Sequence, residues 1–175
     1  MFSDPLKNIA HMYIGEGMHV ADFGAGIGHY TLAIAKKVGE YGKVFAIDVQ
    51  ADHLSALKND AKRKKVHNIE LIHSDLEQPN GSCLPDALID RVVIVNMLFQ
   101  NEHPEQIAKE AKRILKSKGR VVVIEWIDSY NHIGPHPDHV LQRERAQQIF
   151  MQQGFELEKG FDAGSHHYGL LFKNK

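Results

Sequence analysis

The sequence predicts an α/β protein, a doubly wound sheet with helices on both faces, and three observations point there. Short β-rich runs alternate with amphipathic stretches along the chain, the pattern of repeated βαβ units. Two of the runs, Val92-Val93-Ile94-Val95 and Val121-Val122-Val123-Ile124, are apolar without interruption, as strands covered on both faces are. The 175 residues, 43% hydrophobic and 25% charged, suffice for one sizeable core and not for two.

The opening segment reads as a helix. Ser3 or Asp4 caps it, Pro5 suits its first position, and Leu6, Ile9, Ala10 and Tyr13 share a face before Gly15 and Gly17 end it. The first strand covers 19–23, and a helix over 28–38 follows and stops at Gly39. The second strand covers 44–49. Asp52 then caps a helix carrying Leu54, Leu57 and Ala61 at helical spacing. The third strand is 69–74, and a loop with Pro79, Gly81 and Pro85 leads to the fourth, 91–95. Pro104 starts a helix that turns Ile107, Ala111, Ile114 and Leu115 inward, and Gly119 precedes the fifth strand at Val121. Beyond Gly134, Pro135 and Pro137 comes a helix over 138–153, stopped by Gly154. Extended segments 155–161 and 167–172, joined by Ala163-Gly164-Ser165, close the chain as a hairpin. The whole is expected to be one domain over 1–175, with 1–17 a leading helix and turn and 154–175 the terminal hairpin.

Composition excludes several classes of function. The formal net charge is −1, without the basic footprint of a nucleic-acid binder. The run Lys62-Arg63-Lys64-Lys65 ends a helix, where cations suit the helix dipole and solvent. A single cysteine, Cys83, forms no internal disulfide and fits a reducing compartment. No stretch approaches the roughly 20 apolar residues of a membrane helix, and no secretory leader is visible. The expected location is the cytoplasm.

The richest segment is Ala21-Asp22-Phe23-Gly24-Ala25-Gly26-Ile27-Gly28, with glycines at every second position between a strand and a helix. Such a turn lets the backbone approach a ligand closely and offers amides at a helix N-terminus. Asp48 ends the second strand, twenty residues after Gly28, and Asp75 ends the third. In doubly wound nucleotide folds a carboxylate at that distance meets ribose hydroxyls, and ligands bind at the carboxyl ends of the strands. A dinucleotide oxidoreductase is the rival, but its GxGxxG fingerprint places the third glycine one residue later.

This set resembles the class I S-adenosylmethionine (SAM)-dependent methyltransferases, closest to their compact type-11 and type-25 domains. The resemblance covers nearly the whole chain. It implies a Rossmann-like seven-stranded sheet of order 3-2-1-4-5-7-6 with strand seven antiparallel, and SAM as cofactor. It implies that Asp22, Gly24, Ala25, Gly26 and Gly28 form the cofactor loop. Asp48, with Val49 beside it, would bind the ribose; Asp75 would bind the adenine amino group, and Leu76 would contact the ring. Asn96, after the fourth strand, would lie beside the methionine moiety. Ile114-Leu115-Lys116-Ser117-Lys118-Gly119 resembles the family's turn before strand five, with Ser117 and Lys118 in place of the usual Pro and Gly.

Methyl transfer from a sulfonium asks mainly for positioning and exclusion of water, so no obligatory triad is expected. The expected reaction is in-line transfer to a small-molecule acceptor. A protein or RNA acceptor, or a SAM-binding module without catalysis, are the alternatives. No proline follows Asn96, which counts against methylation of base or amide nitrogen in this superfamily, and one cysteine counts against an arsenite methyltransferase. Phe99, Gln100 and Trp126 are the candidate substrate pocket, with core packing the other reading for Phe99 and Trp126. His132, His136 and His139 cluster beside two prolines, and His166 and His167 begin the last segment. His132, His166 and His167 are candidate bases; no metal is expected, because loop histidines without cysteine or HExxH are usually solvated. The short N-terminus leaves any substrate lid to a partner or to a second copy in a homodimer.

Overall fold

A computed structural model describes residues 3–130 and 133–175. Its strands are β1 (His19–Phe23), β2 (Lys43–Asp48), β3 (Ile69–His73), β4 (Ile89–Val95), β5 (Leu115–Trp126), β6 (Phe155–Gly164) and β7 (His167–Asn174). Its α-helices are α1 (Pro5–Ile9), α2 (His29–Val38), α3 (Ala51–Arg63), α4 (Pro104–Ile114) and α5 (Arg143–Gln152). All seven strands form one sheet of order β3-β2-β1-β4-β5-β7-β6. β1 to β5 pair in parallel, and β7 runs antiparallel to both β5 and β6. This is the class I methyltransferase sheet that the resemblance implied.

The sheet is buried on both faces because successive side chains point to opposite sides. Phe23, Ile47, Val92, Ile94, Val121 and Val123 join one core with Ile107, Ala111 and Ile114 of α4 and with Ala146, Ile149 and Phe150 of α5. Val20, Val44, Val93, Val122 and Ile124 join the other with Tyr30, Ile34 and Val38 of α2 and with Ile9 and Met12. The interleaving of Val92, Val93 and Ile94 between the two cores explains their uninterrupted apolar run.

Four local expectations are corrected. Asp4 does cap α1, accepting from the Leu6 amide, but the helix is one turn long and leaves Leu6 and Tyr13 exposed. Ile9 is buried as expected, Ala10 is exposed, Asn8 and Met12 face inward beside Ile9, and the Asn8 amide reaches the Tyr30 hydroxyl at 2.7 Å. Gln50, not Asp52, occupies the cap position of α3, and Asp52 lies in its first turn. No turn separates α4 from β5: Leu115 pairs with Ile89, and the register then skips to Arg91–Arg120, so Lys116 to Gly119 form an irregularity within β5. Finally, α5 starts at Arg143, because Pro137–His139 is a separate 3-10 turn.

Candidate active site

A cavity of about 580 Å³ opens at the carboxyl ends of β1, β2, β3 and β4, where open α/β sheets bind their ligands. Its wall takes Asp22, Gly24, Ala25 and Gly26 from β1 and the glycine turn, and Asp48 and Val49 from β2. Asp75 and Leu76 come from the segment after β3, and Asn96 and Gln100 from the turn after β4. Of the cofactor residues expected from sequence, Gly28 stays outside this wall.

The three glycines of the turn have different jobs. All have positive φ, at 69°, 54° and 90°, a region that L side chains enter only at a cost. A Cβ on Gly24 would meet Met97 Cγ at 2.9 Å, and one on Gly28 would meet Leu57 Cδ1 at 2.2 Å. Gly24 thus admits Met97 from the β4 turn, and Gly28 lets α3 pack. A Cβ on Gly26 would meet nothing within 4 Å; Gly26 faces the cavity.

The amides of this turn are not the open anion cradle expected from the glycine pattern. Those of Gly24 and Ala25 both go to the Ile47 carbonyl, that of Gly28 to the Ala25 carbonyl, and that of Gly26 to Asp48 Oδ2 at 2.8 Å. The turn is braced by β2 and offers its surface rather than these donors.

The three strand-end acids are all in place. Asp48 is buried and accepts the Gly26 and Gln50 amides on separate oxygens, both at 2.8 Å. Asp75 accepts the Glu77 amide at 2.9 Å, so it caps its own turn as well as facing the cavity. Asp22 is 2% exposed and accepts from the Thr31 hydroxyl at 2.5 Å. Burial pushes its carboxyl up to about 7, against the Thr31 hydrogen bond and with the Asp48 charge adding to the rise.

Sequence reasoning missed His29, Tyr30, Gln50, His53, Glu77, Met97 and Asn101 in the same wall. Most lie within two residues of one that was named, so the signal was the strand ends themselves. Asn96 has φ 52°, and its Oδ1 and that of Asn101 are buried without a hydrogen-bond partner. Glu125 was also missed: its position, buried in an apolar strand near its carboxyl end, was the available signal.

Among the candidates for the acceptor side, Gln100 lines the cavity, and Phe99 and Trp126 do not. Trp126 is buried against the His167 ring, centroids 4.2 Å apart, so the core-packing reading describes its contacts. His166 Nδ1 lies 2.8 Å from Asp128 Oδ1, and its ring lies tilted against that of Tyr130, centroids 4.3 Å apart. Both histidines flank the carboxyl end of β5, next to the cavity's β4 side but outside its wall. His132 falls outside the described residues. Among the described residues no group of three His, Cys, Asp or Glu is placed to hold a metal.

The charge of the wall selects its ligand. Asp22, Asp48, Asp75 and Glu77 line it, together with His29 and His53, and its described lining holds no lysine or arginine. These four carboxyl groups suit a cationic ligand rich in hydroxyl and amino donors, and they repel a pyrophosphate. The residues therefore fit SAM, with its ammonium, sulfonium, ribose and adenine amino group. A second cavity, of about 600 Å³, opens beside His19, Lys43 and Asn68 at the amino ends of β1 and β2, away from the glycine turn.

Comparison with known proteins identifies the family. A family model described as "Methyltransferase domain" matches residues 14–164. The chain belongs to this methyltransferase family. A crystal structure of a SAM-dependent methyltransferase from Aquifex aeolicus superimposes with a TM-score of 0.90 and 26% identity, over 99% of this chain and 91% of that one. The ubiquinone/menaquinone biosynthesis C-methyltransferase UbiE of Pseudoalteromonas translucida is 31% identical over 123 residues, which cover 69% of this chain and 47% of UbiE. Demethylmenaquinone methyltransferase of Geobacillus stearothermophilus is 30% identical over 114 residues, covering 65% of this chain and 47% of that enzyme. The methyltransferase chain described here spans about half the length of these two relatives. Among its described residues no helix is long and apolar enough to cross a membrane.

Proposed function

We propose that residues 1–175 are one SAM-binding domain that transfers the methyl group of SAM to a small-molecule acceptor. The observation that carries this reading is the convergence of Gly26, Asp48, Asp75 and Asn96 on one acid-lined cavity. The names of the relatives, which concern quinone and menaquinone biosynthesis, support a small aromatic acceptor over a protein or RNA. The exposed thiol of Cys83 fits a cytoplasmic location.

SAM supplies a methyl group on a positively charged sulfur, already activated for displacement. Asp48 accepts from the ribose hydroxyls with the lone pairs that Gly26 and Gln50 leave over. Asp75 accepts from the adenine amino group, and Leu76 packs on the ring. Asn96 and Asn101 line the cavity where β4 ends, beside the place of the methionine moiety. The acceptor approaches over the ends of β4 and β5, where Gln100 lines the cavity and orients it. His166, whose Nδ1 is 2.8 Å from Asp128, is the candidate to receive a proton from that side.

The test has two arms. Calorimetry should show binding of SAM and of its demethylated product S-adenosylhomocysteine, and none of NAD; NAD binding without SAM binding would overturn the reading. Incubation of radiolabelled SAM with fractionated extract should label a small molecule. Label that disappears when the acceptor fraction is pretreated with protease or ribonuclease would move the acceptor to protein or RNA.

A further inference from the structure

We propose that Glu125 is a positioning residue for methyl transfer: its carboxyl group caps the turn after β4 from the neighbouring strand and so holds two walls of the cofactor cavity together. The proposal rests on the SAM reading for its effect on the cofactor, and on geometry alone for the clamp. β4 ends at Val95, opposite Ile124, and the Asn96 amide donates to the Ile124 carbonyl at 2.8 Å. Beyond that point the β4 chain leaves the sheet in a 3-10 turn, Leu98–Gln100, whose cap residue Met97 gives no side-chain hydrogen bond. The first amides of such a turn have no partner within it and must find one elsewhere. Glu125, the next residue on β5, supplies it: Oε1 accepts the Met97 amide at 2.8 Å and the Leu98 amide at 2.6 Å.

Three consequences converge on the cavity. Asn96 has φ 52°, a left-handed conformation that asparagine adopts more readily than other side chains. The amide clamp on one side, and the Gln100 side chain donating to the Asn96 carbonyl at 2.7 Å on the other, fix that turn. Met97, anchored by its backbone, projects its side chain into the space that Gly24 leaves by having no Cβ. The clamp on the β4 turn therefore also sets the distance between that turn and the glycine turn.

Glu125 is 1% exposed, so burial disfavours its ionised form while the amides that donate to it favour that form. Both amides fall on Oε1, and Oε2 is buried with no hydrogen-bond partner. Burial, opposed by the amides of Leu98, Met97, Phe99 and Trp126, pushes the group up to about 8. Tyr168, its cross-strand neighbour on β7, is the titratable group facing it.

The experiment compares Glu125→Ala with Glu125→Gln, which keeps a carbonyl oxygen at the same reach. Folded Glu125→Ala should bind SAM about 10- to 100-fold more weakly, the range for orphaning buried donors. Glu125→Gln should restore most of that affinity. The loss should fall on SAM affinity and kcat more than on KM for the acceptor. An unchanged affinity in folded Glu125→Ala, or equal damage in both variants, overturns the proposal. If Glu125→Ala does not fold, hydrogen exchange of the wild-type protein decides. The Met97 and Leu98 amides should be protected without ligand, and exchange at exposed-loop rates overturns the clamp. Wild-type protein that fails to bind SAM would defeat the cofactor reading, while protection of these two amides would still decide whether the clamp exists.

Discussion

Asp48 Oδ2 accepts the Gly26 amide at 2.8 Å, so the last residue of β2 braces the glycine turn of β1 before any ligand arrives. The same carboxylate faces the cavity, and its two functions predict a graded response. Asp48→Ala should lose about 1.5–3 kcal/mol of SAM affinity, the magnitude for hydrogen bonds to a charged group. Asp48→Asn, which keeps one acceptor oxygen, should fall between. Calorimetry on folded protein checks this, and wild-type affinity in Asp48→Ala would reject the ribose assignment.

Gly26 and Gly28 should separate binding from stability. Both have positive φ, so alanine at either costs about 1–2 kcal/mol of backbone strain. At Gly28 the new Cβ also meets Leu57 at 2.2 Å, adding about 1–3 kcal/mol of overpacking. At Gly26 it meets nothing and projects toward the ligand. Gly28→Ala should therefore lower the urea midpoint more, and Gly26→Ala should weaken SAM more per unit of stability lost. The reverse ranking would show that the roles of the two glycines have been exchanged.

The cavity wall was legible because its residues sit at strand ends in sequence order: a glycine turn after β1, Asp48 at the end of β2, Asp75 after β3 and Asn96 after β4. The local capping was less so. Asp52 has the composition of a cap, yet the chain enters α3 two residues earlier than that cap implies, with Gln50 in the cap position and Ala51 the first helical residue. The amides of the glycine turn are drawn into β2 by Ile47 and Asp48, a tertiary contact that glycine spacing does not encode. Glu125 escaped for the same reason. Its partners, Met97 and Leu98, are 28 and 27 residues away, and only the β4–β5 register brings them together.

Two buried acids set the pH dependence of the ligand-free fold. Burial raises Asp22 from 3.8 to about 7 and Glu125 from 4.5 to about 8. The unfolded chain ionises both near their ordinary values, so across this window the native state holds more protons, and unfolding free energy falls as pH rises. The stability these groups contribute is fully present in acid and lost as pH climbs through 7 and 8. Asp90 behaves oppositely: burial raises it, but hydrogen bonds from Lys116 and the His19 amide outweigh that and leave it lowered, so its effect belongs to lower pH. The urea midpoint should drop between about pH 5.5 and 8.5. Asp22→Asn and Glu125→Gln should each flatten the drop, and a midpoint that rises over this window in wild type would contradict both assignments.

Trp126 is the one tryptophan in the sequence, which makes its fluorescence a reporter for the carboxyl end of β5. The indole is buried against the His167 ring, and the chain folds back over it at Gly134, where a Cβ would meet Trp126 Cε3 at 2.8 Å. It stands outside the wall of the cofactor cavity. SAM alone should therefore change the emission little. An acceptor placed over the ends of β4 and β5 should change it more, because its ring competes for the same desolvated surface. A soluble quinol titrated into the SAM-loaded protein tests this, with free N-acetyltryptophanamide as the control for collisional quenching. Saturable quenching beyond that control places the acceptor at Trp126, and Trp126→Phe should then raise KM for the acceptor while leaving SAM affinity near wild type. Quenching no greater than the control, together with an unchanged KM in Trp126→Phe, would return Trp126 to core packing and leave Gln100 as the acceptor-side residue.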